Sequence, residues 1–398
     1  MTTVSVYGVG KAGLPLCCVI AESGHKVIGV GRNSEKSIQL NKGINPIPEE
    51  TGLSDLLRKH VGKQLKFTID GVGASKKTKV HIIIVPVFID ATNKPDFTNI
   101  KEAANNIARG LKKGDLVVLE TTVPIGTTGK LLKTELEKIS KLRAGRDFYL
   151  AMSPERMMTG YAISRYQELP KIVGGINMLS TKKVAQFYLT FCRQIIEVSS
   201  LETAEFIKIS EGVYRDVNIA LANELYKISL SSRIDYWEVQ KAANNPFCHL
   251  HEPGSVGGHC IPVYPWFLIN NFEVPLIKQA RQQNDDMIKF YIKQTEKITK
   301  PPSRILVVGI SFREGVKETA YTRSLPLIKL LEKRGYRVFV YDPLYSKEEL
   351  TSMKLKYSRE FNKAKAIILL NKYPDLRAPL TKYRSRVVDV KNILNQKP

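Results

Sequence analysis

Cysteine and tryptophan are scarce in this chain, with five and two copies in 398 residues. Cys17, Cys18, Cys192, Cys248 and Cys260 are odd in number and irregular in spacing. That excludes a disulfide framework and the paired spacings of a zinc site, so reduced thiols and no metal are expected. Long hydrophobic runs are missing as well. The stretch from Val80 to Ile89 falls far short of the roughly 20 apolar residues that span a bilayer, and reads as buried strand. The chain begins directly with strand-like Val4-Ser5-Val6-Tyr7, without the charged start, apolar stretch and cleavage site of a secretory leader. The cytoplasm is therefore the expected compartment. Acidic residues are also few, 38 against 61 Lys and Arg, leaving a formal charge of +23. Such a surplus suits a nucleic acid, an acidic membrane face, an anionic small substrate or a heat-adapted surface. With no dense basic tail, no aromatic RNP pattern and no paired Cys/His ligands, neither nucleic acid nor membrane is an expected partner.

What is present is an alternation of strand-like and helix-like segments, as in parallel sheets flanked by helices. Strands are predicted at 4–7, 26–30, 80–85, 116–120 and 148–152, and again at 304–308, 337–341, 366–370 and 387–390. Between the two sets, apolar residues at helical spacing (Ile207, Val213, Val217, Leu221, Leu225) predict a long amphipathic helix over 202–231. Lys300-Pro301-Pro302 marks a boundary, because consecutive prolines stop a helix. The expected fold is α/β, two Rossmann-like doubly wound parallel-sheet domains joined by a long central helix. Residues 1–195 would form the first α/β domain, 196–300 a central helical region, and 301–398 the second α/β domain.

The first motif is Gly8-Val9-Gly10-Lys11-Ala12-Gly13, placed after a strand and before a helix. There the first glycine permits a tight turn, the second lets backbone N–H groups approach a pyrophosphate, and the third lets helix pack on strand. A dinucleotide is the implied ligand, with a bare glycine-rich turn as the bland reading. Some twenty residues on, the fingerprint calls for an acid at the adenosine ribose, but the sequence reads Val30-Gly31-Arg32-Asn33-Ser34. Arg32 suits a 2′-phosphate, which raises NADP beside NAD. The second motif is Pro253-Gly254-Ser255-Val256-Gly257-Gly258-His259-Cys260-Ile261-Pro262. A thiol in a glycine-rich, proline-bounded loop is reachable by substrate, and the adjoining His259 can raise its thiolate fraction. The other cysteines read as small core residues or carry no such setting.

These two motifs, with Thr121-Thr122-Val123-Pro124-Ile125-Gly126-Thr127-Thr128 and Ser153-Pro154-Glu155-Arg156, resemble the UDP-glucose/GDP-mannose dehydrogenase family. Further matches at Ala204 to Lys208, Tyr214 to Ala220, Ala222 to Leu225 and Tyr341-Asp342-Pro343 extend the resemblance over essentially the whole chain. His259 before the cysteine resembles the branch that acts on UDP-N-acetylhexosamines, UDP-N-acetylmannosamine first among them. The resemblance implies oxidation of the sugar C6 alcohol to a carboxylate with two NAD(P), through a cysteine thioester. It implies Cys260 as nucleophile, Lys208 as the cation on the reacting oxygen, Glu155 as base on the hydrolytic water and Thr122 as its holder. Gly8, Gly10, Lys11, Ala12, Gly13, Leu14, Arg32, Pro86 and Thr121 would meet the cofactor. Arg156, Arg215, Gly257, Gly258, His259, Phe312 and Arg313 would meet the UDP-sugar. Members of the family are commonly homodimers through the central helix, which is the oligomer expected here. Taken singly, Lys208 also reads as a solvated helix lysine and Glu155 as an ion-pair partner of Arg156.

The sequence departs from the family pattern at four functional positions. Gly31 stands in place of the ribose acid. Gly212, four residues after Lys208, replaces an asparagine. Tyr264, four after Cys260, replaces an aspartate, and Ala320 replaces an arginine. Each lost donor typically costs two to three orders of magnitude in rate. A tyrosine hydroxyl doing the aspartate's proton work, with a water beside Gly212, would preserve activity. Otherwise the chain is a degenerate member that binds nucleotide sugar or dinucleotide without full catalysis. A β-hydroxyacid-type dehydrogenase, which needs a lysine but no cysteine, is the third reading.

Overall fold

The computed structural model describes residues 1–157 and 160–395, in two compact units, Met1–Ser210 and Glu211–Pro398. In the first, β1 (Thr3–Tyr7), β2 (Lys26–Val30), β3 (Leu65–Thr68), β4 (Val80–Ile83), β5 (Leu116–Leu119), β6 (Tyr149–Met152), β7 (Lys171–Gly175) and β8 (Ile195–Val198) form one eight-stranded sheet. Its order is β8-β7-β6-β5-β4-β1-β2-β3. Strands β1 to β6 run parallel, and β7 turns antiparallel to β6 through Ala151↔Gly175 and Met152↔Gly174. Side chains alternate between the faces, so each strand feeds two cores. Val4, Val6, Ile82, Val118, Ala151 and Val173 enter one, while Tyr7, Ile83, Val117, Leu119, Leu150 and Ile172 enter the other. Burial on both faces is why these strands read as continuous hydrophobic runs.

In the second unit, β9 (Arg304–Val308), β10 (Arg337–Tyr341), β11 (Ala366–Leu369) and β12 (Val387–Asp389) form a parallel sheet in the order β10-β9-β11-β12. Here too the strands serve two cores, Ile305 and Val307 on one side, Leu306 and Val308 on the other. Both sheets agree with the expected doubly wound architecture. The predicted run to Val85 is shorter than expected, since β4 ends at Ile83 and Phe88–Ile89 pairs with Pro95–Asp96 in a short antiparallel ladder.

Four helices position the candidate site: α1 (Gly13–Glu22), α2 (Thr98–Ala108), α3 (Leu201–Ser232) and α4 (Tyr264–Ile269). The long helix matches its predicted span to one residue at each end, but its buried face is not the predicted one. Leu221 is exposed, Ile207, Val217 and Leu225 are only half-buried, and Val213 alone of that set is buried. The buried residues include Ala204, Glu205, Ile209, Gly212, Asp216, Ala220 and Asn223. Small and hydrogen-bonded polar residues do not register in a hydrophobic count, although they can line a close-packed helix face. Among the described residues no helix is long and apolar enough to cross a membrane.

Candidate active site

The turn from β1 into α1 is built by its glycines. Gly8 has φ +109°, and a Cβ there would lie 2.5 Å from the Ile84 carbonyl oxygen. A Cβ on Gly13 would lie 1.8 Å from the Gly8 oxygen, whereas one on Gly10 would meet nothing within 4 Å. Two glycines thus close the turn and the third leaves open space. At the start of α1, Ala12 offers no side-chain cap and the first turn carries no acid, so its N–H groups suit a phosphate. These residues fit a dinucleotide pyrophosphate. Lys11 lies 3.7 Å from Glu49, and Leu14 packs in the core with its N–H donated to the Gly10 carbonyl at 3.0 Å.

The missing ribose acid has a steric counterpart. A Cβ on Gly31 would sit 2.9 Å from Cγ2 of Val9, the residue between the first two glycines. Beside it, Arg32 donates to Asn99 Oδ1 at 2.8 Å and pairs with Glu102 at 3.7 Å, while Asn99 donates to the Pro86 carbonyl at 2.9 Å. Arg32 and Pro86 are therefore linked through α2, by residues that sequence reasoning passed over.

Thr122 and Glu155 follow β5 and β6, adjacent parallel strands, at their C-terminal ends, where open α/β sheets place ligands. Thr121 donates its hydroxyl to the Val85 carbonyl at 2.7 Å, and the Glu155 N–H donates to the Glu120 carbonyl at 2.9 Å. Glu155 also accepts the N–H of Met157, and Arg156 donates to the Pro170 carbonyl at 3.0 Å. Behind this strand end Glu120 is fully buried, paired with Lys171 at 2.8 Å and accepting from the Tyr188 hydroxyl at 2.5 Å. Glu205, one turn before Lys208 on α3, clamps the loop after Thr122. It accepts from the N–H of Gly126 at 2.5 Å and from the N–H and hydroxyl of Thr128 at 2.7 and 2.6 Å. Burial pushes its carboxyl up to about 7 against the pull of those three donors. Glu205 lies within the run Ala204 to Lys208, but its partners are 77 to 79 residues away, so no local pattern marks its role.

The cysteines separate by environment. Cys260 is exposed, whereas Cys17, Cys18 and Cys192, in the first unit, are buried, and burial raises the thiol of each, to about 12 for Cys18 and Cys192. The loop before Cys260 packs tightly. A Cβ on Gly257 would lie 2.8 Å from Cβ of Phe312, and one on Gly258 would lie 2.9 Å from the Phe312 ring. The Gly258 N–H donates to the Ala320 carbonyl at 2.9 Å, and Nε2 of His259 lies 2.6 Å from Glu318. The structure therefore brings together Gly257, Gly258, His259 and Phe312, with the Arg313 guanidinium carbon 5.9 Å from the centroid of the Phe312 ring. His259 engages Glu318 and meets the Tyr321 ring edge-on. Arg215 is exposed on α3.

A buried polar chain supports this loop. Arg281 pairs with Asp216, Asn284 donates to Asp216 at 2.8 Å, and Asn223 donates to Asn284 at 2.9 Å. Asn223 also accepts the Gly254 N–H at 2.7 Å and donates to the Gly254 carbonyl at 3.0 Å. Burial pushes the Asp216 carboxyl up to about 6, opposed by Arg281. The matched runs around Asp216 and Asn223 thus hold the base of the cysteine loop. The expected water beside Gly212 is overturned: the Tyr264 ring fills that space, 2.4 Å from where a Cβ would stand.

Residues 2–192 match the NAD-binding domain of the UDP-glucose/GDP-mannose dehydrogenase family, residues 202–286 its central domain, and residues 306–396 its UDP-binding domain. A UDP-N-acetyl-D-mannosamine dehydrogenase of Methanococcus aeolicus is 34% identical over 87% of this chain and 79% of its own. A UDP-N-acetyl-D-glucosamine 6-dehydrogenase of Pseudomonas aeruginosa is 33% identical over 87% of this chain and 84% of its own. Among solved structures, a UDP-D-ManNAc dehydrogenase from Pyrococcus horikoshii superposes with a TM-score of 0.87 at 29% identity, covering 97% of this chain and 93% of that one.

Proposed function

This chain belongs to the UDP-glucose/GDP-mannose dehydrogenase family, and from that premise we propose that it is a nucleotide-sugar 6-dehydrogenase acting on a UDP-N-acetylhexosamine, UDP-N-acetylmannosamine first. The observation that carries the reading is the exposure of Cys260 at the end of a glycine loop fixed by Phe312, Ala320 and Asn223. A reactive thiol needs access and a defined position.

NAD, when bound, supplies the hydride acceptor for each of the two oxidations. Gly8, Gly10, Lys11, Ala12, Gly13, Leu14, Arg32, Pro86 and Thr121 hold it. The sugar C6 alcohol becomes an aldehyde, the Cys260 thiolate adds to its carbon to give a thiohemiacetal, and the second oxidation leaves a thioester. Lys208 opposes the negative charge on the C6 oxygen, worth most where water is excluded. Glu155 takes a proton from the water that Thr122 holds, that oxygen attacks the thioester, and the C–S bond breaks to release carboxylate and thiolate. Arg156, Arg215, Gly257, Gly258, His259, Phe312 and Arg313 contact the UDP-sugar. Residues 1–195, 196–300 and 301–398 divide these tasks as cofactor, central and UDP-sugar regions.

The test is incubation with UDP-N-acetylmannosamine, UDP-N-acetylglucosamine or UDP-glucose and either NAD or NADP, followed at the nicotinamide absorbance. Turnover fastest with an N-acetylated sugar supports the reading; binding with no reduced cofactor refutes it. That second outcome belongs to a binder without catalysis, a reading favoured by the Tyr264 ring standing over Gly212. The protein forms a homodimer through α3, whose exposed Tyr214, Leu221 and Ile228 recur every seven residues on one stripe.

A further inference from the structure

Gly212 and Tyr264 lie far apart in sequence and are in direct contact in the fold. A Cβ on Gly212 would lie 2.4 Å from Cδ2 of Tyr264 and 3.3 Å from its Cβ and Cε2. The ring therefore rests against the backbone of α3, where only a hydrogen fits beneath it. It is buried and stacks on Phe267, with ring centroids 5.8 Å apart and planes inclined by 29°. At its other end Tyr264 is tethered to the reactive loop. The N–H groups of Tyr264 and Val263 donate to the Cys260 carbonyl oxygen at 3.0 and 3.1 Å.

From this contact we infer that Tyr264 is a positioning residue for Cys260, and that Gly212 and Tyr264 act as one matched pair. The inference rests on the reading of Cys260 as nucleophile. The ring is a spacer between α3 and the turn that carries the thiol. Because Cys260 and Tyr264 share a backbone hydrogen bond, moving the ring moves the turn. A shift of about 1 Å at a reacting group is enough to cost orders of magnitude in rate. The backbone bond of Tyr264 holds its main chain in place, and burial against the face of Phe267 holds its ring. Shape is what the pair contributes, so the aromatic ring is its working part. The two departures at these positions are thereby a single coupled change: a large side chain at 264 requires none at 212.

The pair is tested with Gly212→Ala, Tyr264→Ala, Tyr264→Phe and the double variant Gly212→Ala/Tyr264→Ala. Two measurements are made on each full-length protein: steady-state kcat and KM, and the pH profile of Cys260 alkylation by iodoacetamide, followed on the Cys260 peptide. Gly212→Ala is expected to lower kcat about tenfold or more and to change the alkylation rate at least threefold, with NAD affinity within about twofold of the parent. Tyr264→Ala behaves similarly, and Tyr264→Phe, which keeps the ring, restores most of that loss. The double variant is no worse than Tyr264→Ala, because the added methyl then meets no ring. Losses that multiply in the double variant overturn the pairing. So does a Gly212→Ala protein within about twofold of the parent in both measurements. A Tyr264→Phe protein as impaired as Tyr264→Ala overturns the spacer role and assigns the effect to the hydroxyl. If Gly212→Ala does not fold, the double variant decides, since restored folding and Tyr264→Ala-like alkylation support the pair and continued failure refutes it. Alkylation needs no turnover, so the coupling is read even if Cys260→Ala oxidises the sugar fully, the result that removes the nucleophile reading alone.

Discussion

The three glycines of the dinucleotide turn make different demands, although a fingerprint treats them alike. Gly13 is pressed against the Gly8 carbonyl, and that contact is backbone on backbone. Gly13→Ala is expected to destabilise the folded protein by about 2 kcal/mol or more. Gly10 faces open space, so Gly10→Ala should leave the unfolding midpoint nearly unchanged while weakening NAD binding about tenfold, because the methyl stands where the pyrophosphate approaches. Calorimetric titration with NAD and thermal unfolding of both variants check the distinction, and equal losses of stability contradict it. Arg32, tied to Asn99 and Glu102 in place of a ribose acid, should favour NADP relative to an acidic residue. Arg32→Asp is expected to weaken NADP binding more than NAD binding, since only NADP carries a phosphate there. Parallel changes for both cofactors would remove that basis.

Helix α3 shows how a regular element can be legible in extent and misread in orientation. Its span follows from helical spacing, but its buried residues include Glu205, Gly212, Asp216 and Asn223, residues that an apolar pattern assigns to solvent. Glu205 has a measurable consequence. Its folded-state value of about 7 lies above an ordinary 4.5 because burial penalises the carboxylate. The stability it contributes is therefore fully present below about pH 4.5 and is lost as pH rises through about 7, a change on the order of 3 kcal/mol. Urea unfolding at pH 5 and pH 8 should show less of this loss in Glu205→Gln than in the parent; identical pH slopes contradict the assignment. Among strands, β1, β2, β9 and β10 were plain from their hydrophobic runs. Short β3, with only Leu65 and Phe67 buried, and β7, which carries Gly174 and Gly175, gave no such signal. Cys260 stood out because its loop is local in sequence. The Gly212–Tyr264 contact did not, since nothing in either segment alone says that they meet.

The whole chain holds two α/β sheets, one carrying the glycine turn after its first strand and the other preceded in sequence by the cysteine loop, with α3 contributing residues to both compact units. The exposed side chains of Tyr214, Leu221 and Ile228 on α3 are the ones through which the proposed dimer would pair. Leu221→Asp is expected to convert a dimer to a monomer in size-exclusion chromatography with light scattering, and an unchanged mass contradicts dimerisation through this helix. Central to the account is covalent oxidation at Cys260, since it joins the cofactor turn, the exposed thiol and the family assignment in one reaction. The most direct measurement is the ratio of reduced nicotinamide to uronate formed from UDP-N-acetylmannosamine by the parent protein and by Cys260→Ala. The account predicts two reduced nicotinamides per uronate in the parent, and no uronate from Cys260→Ala with NAD affinity within about twofold, because the thiol serves chemistry rather than docking. Uronate formation by Cys260→Ala at the parent rate would contradict it.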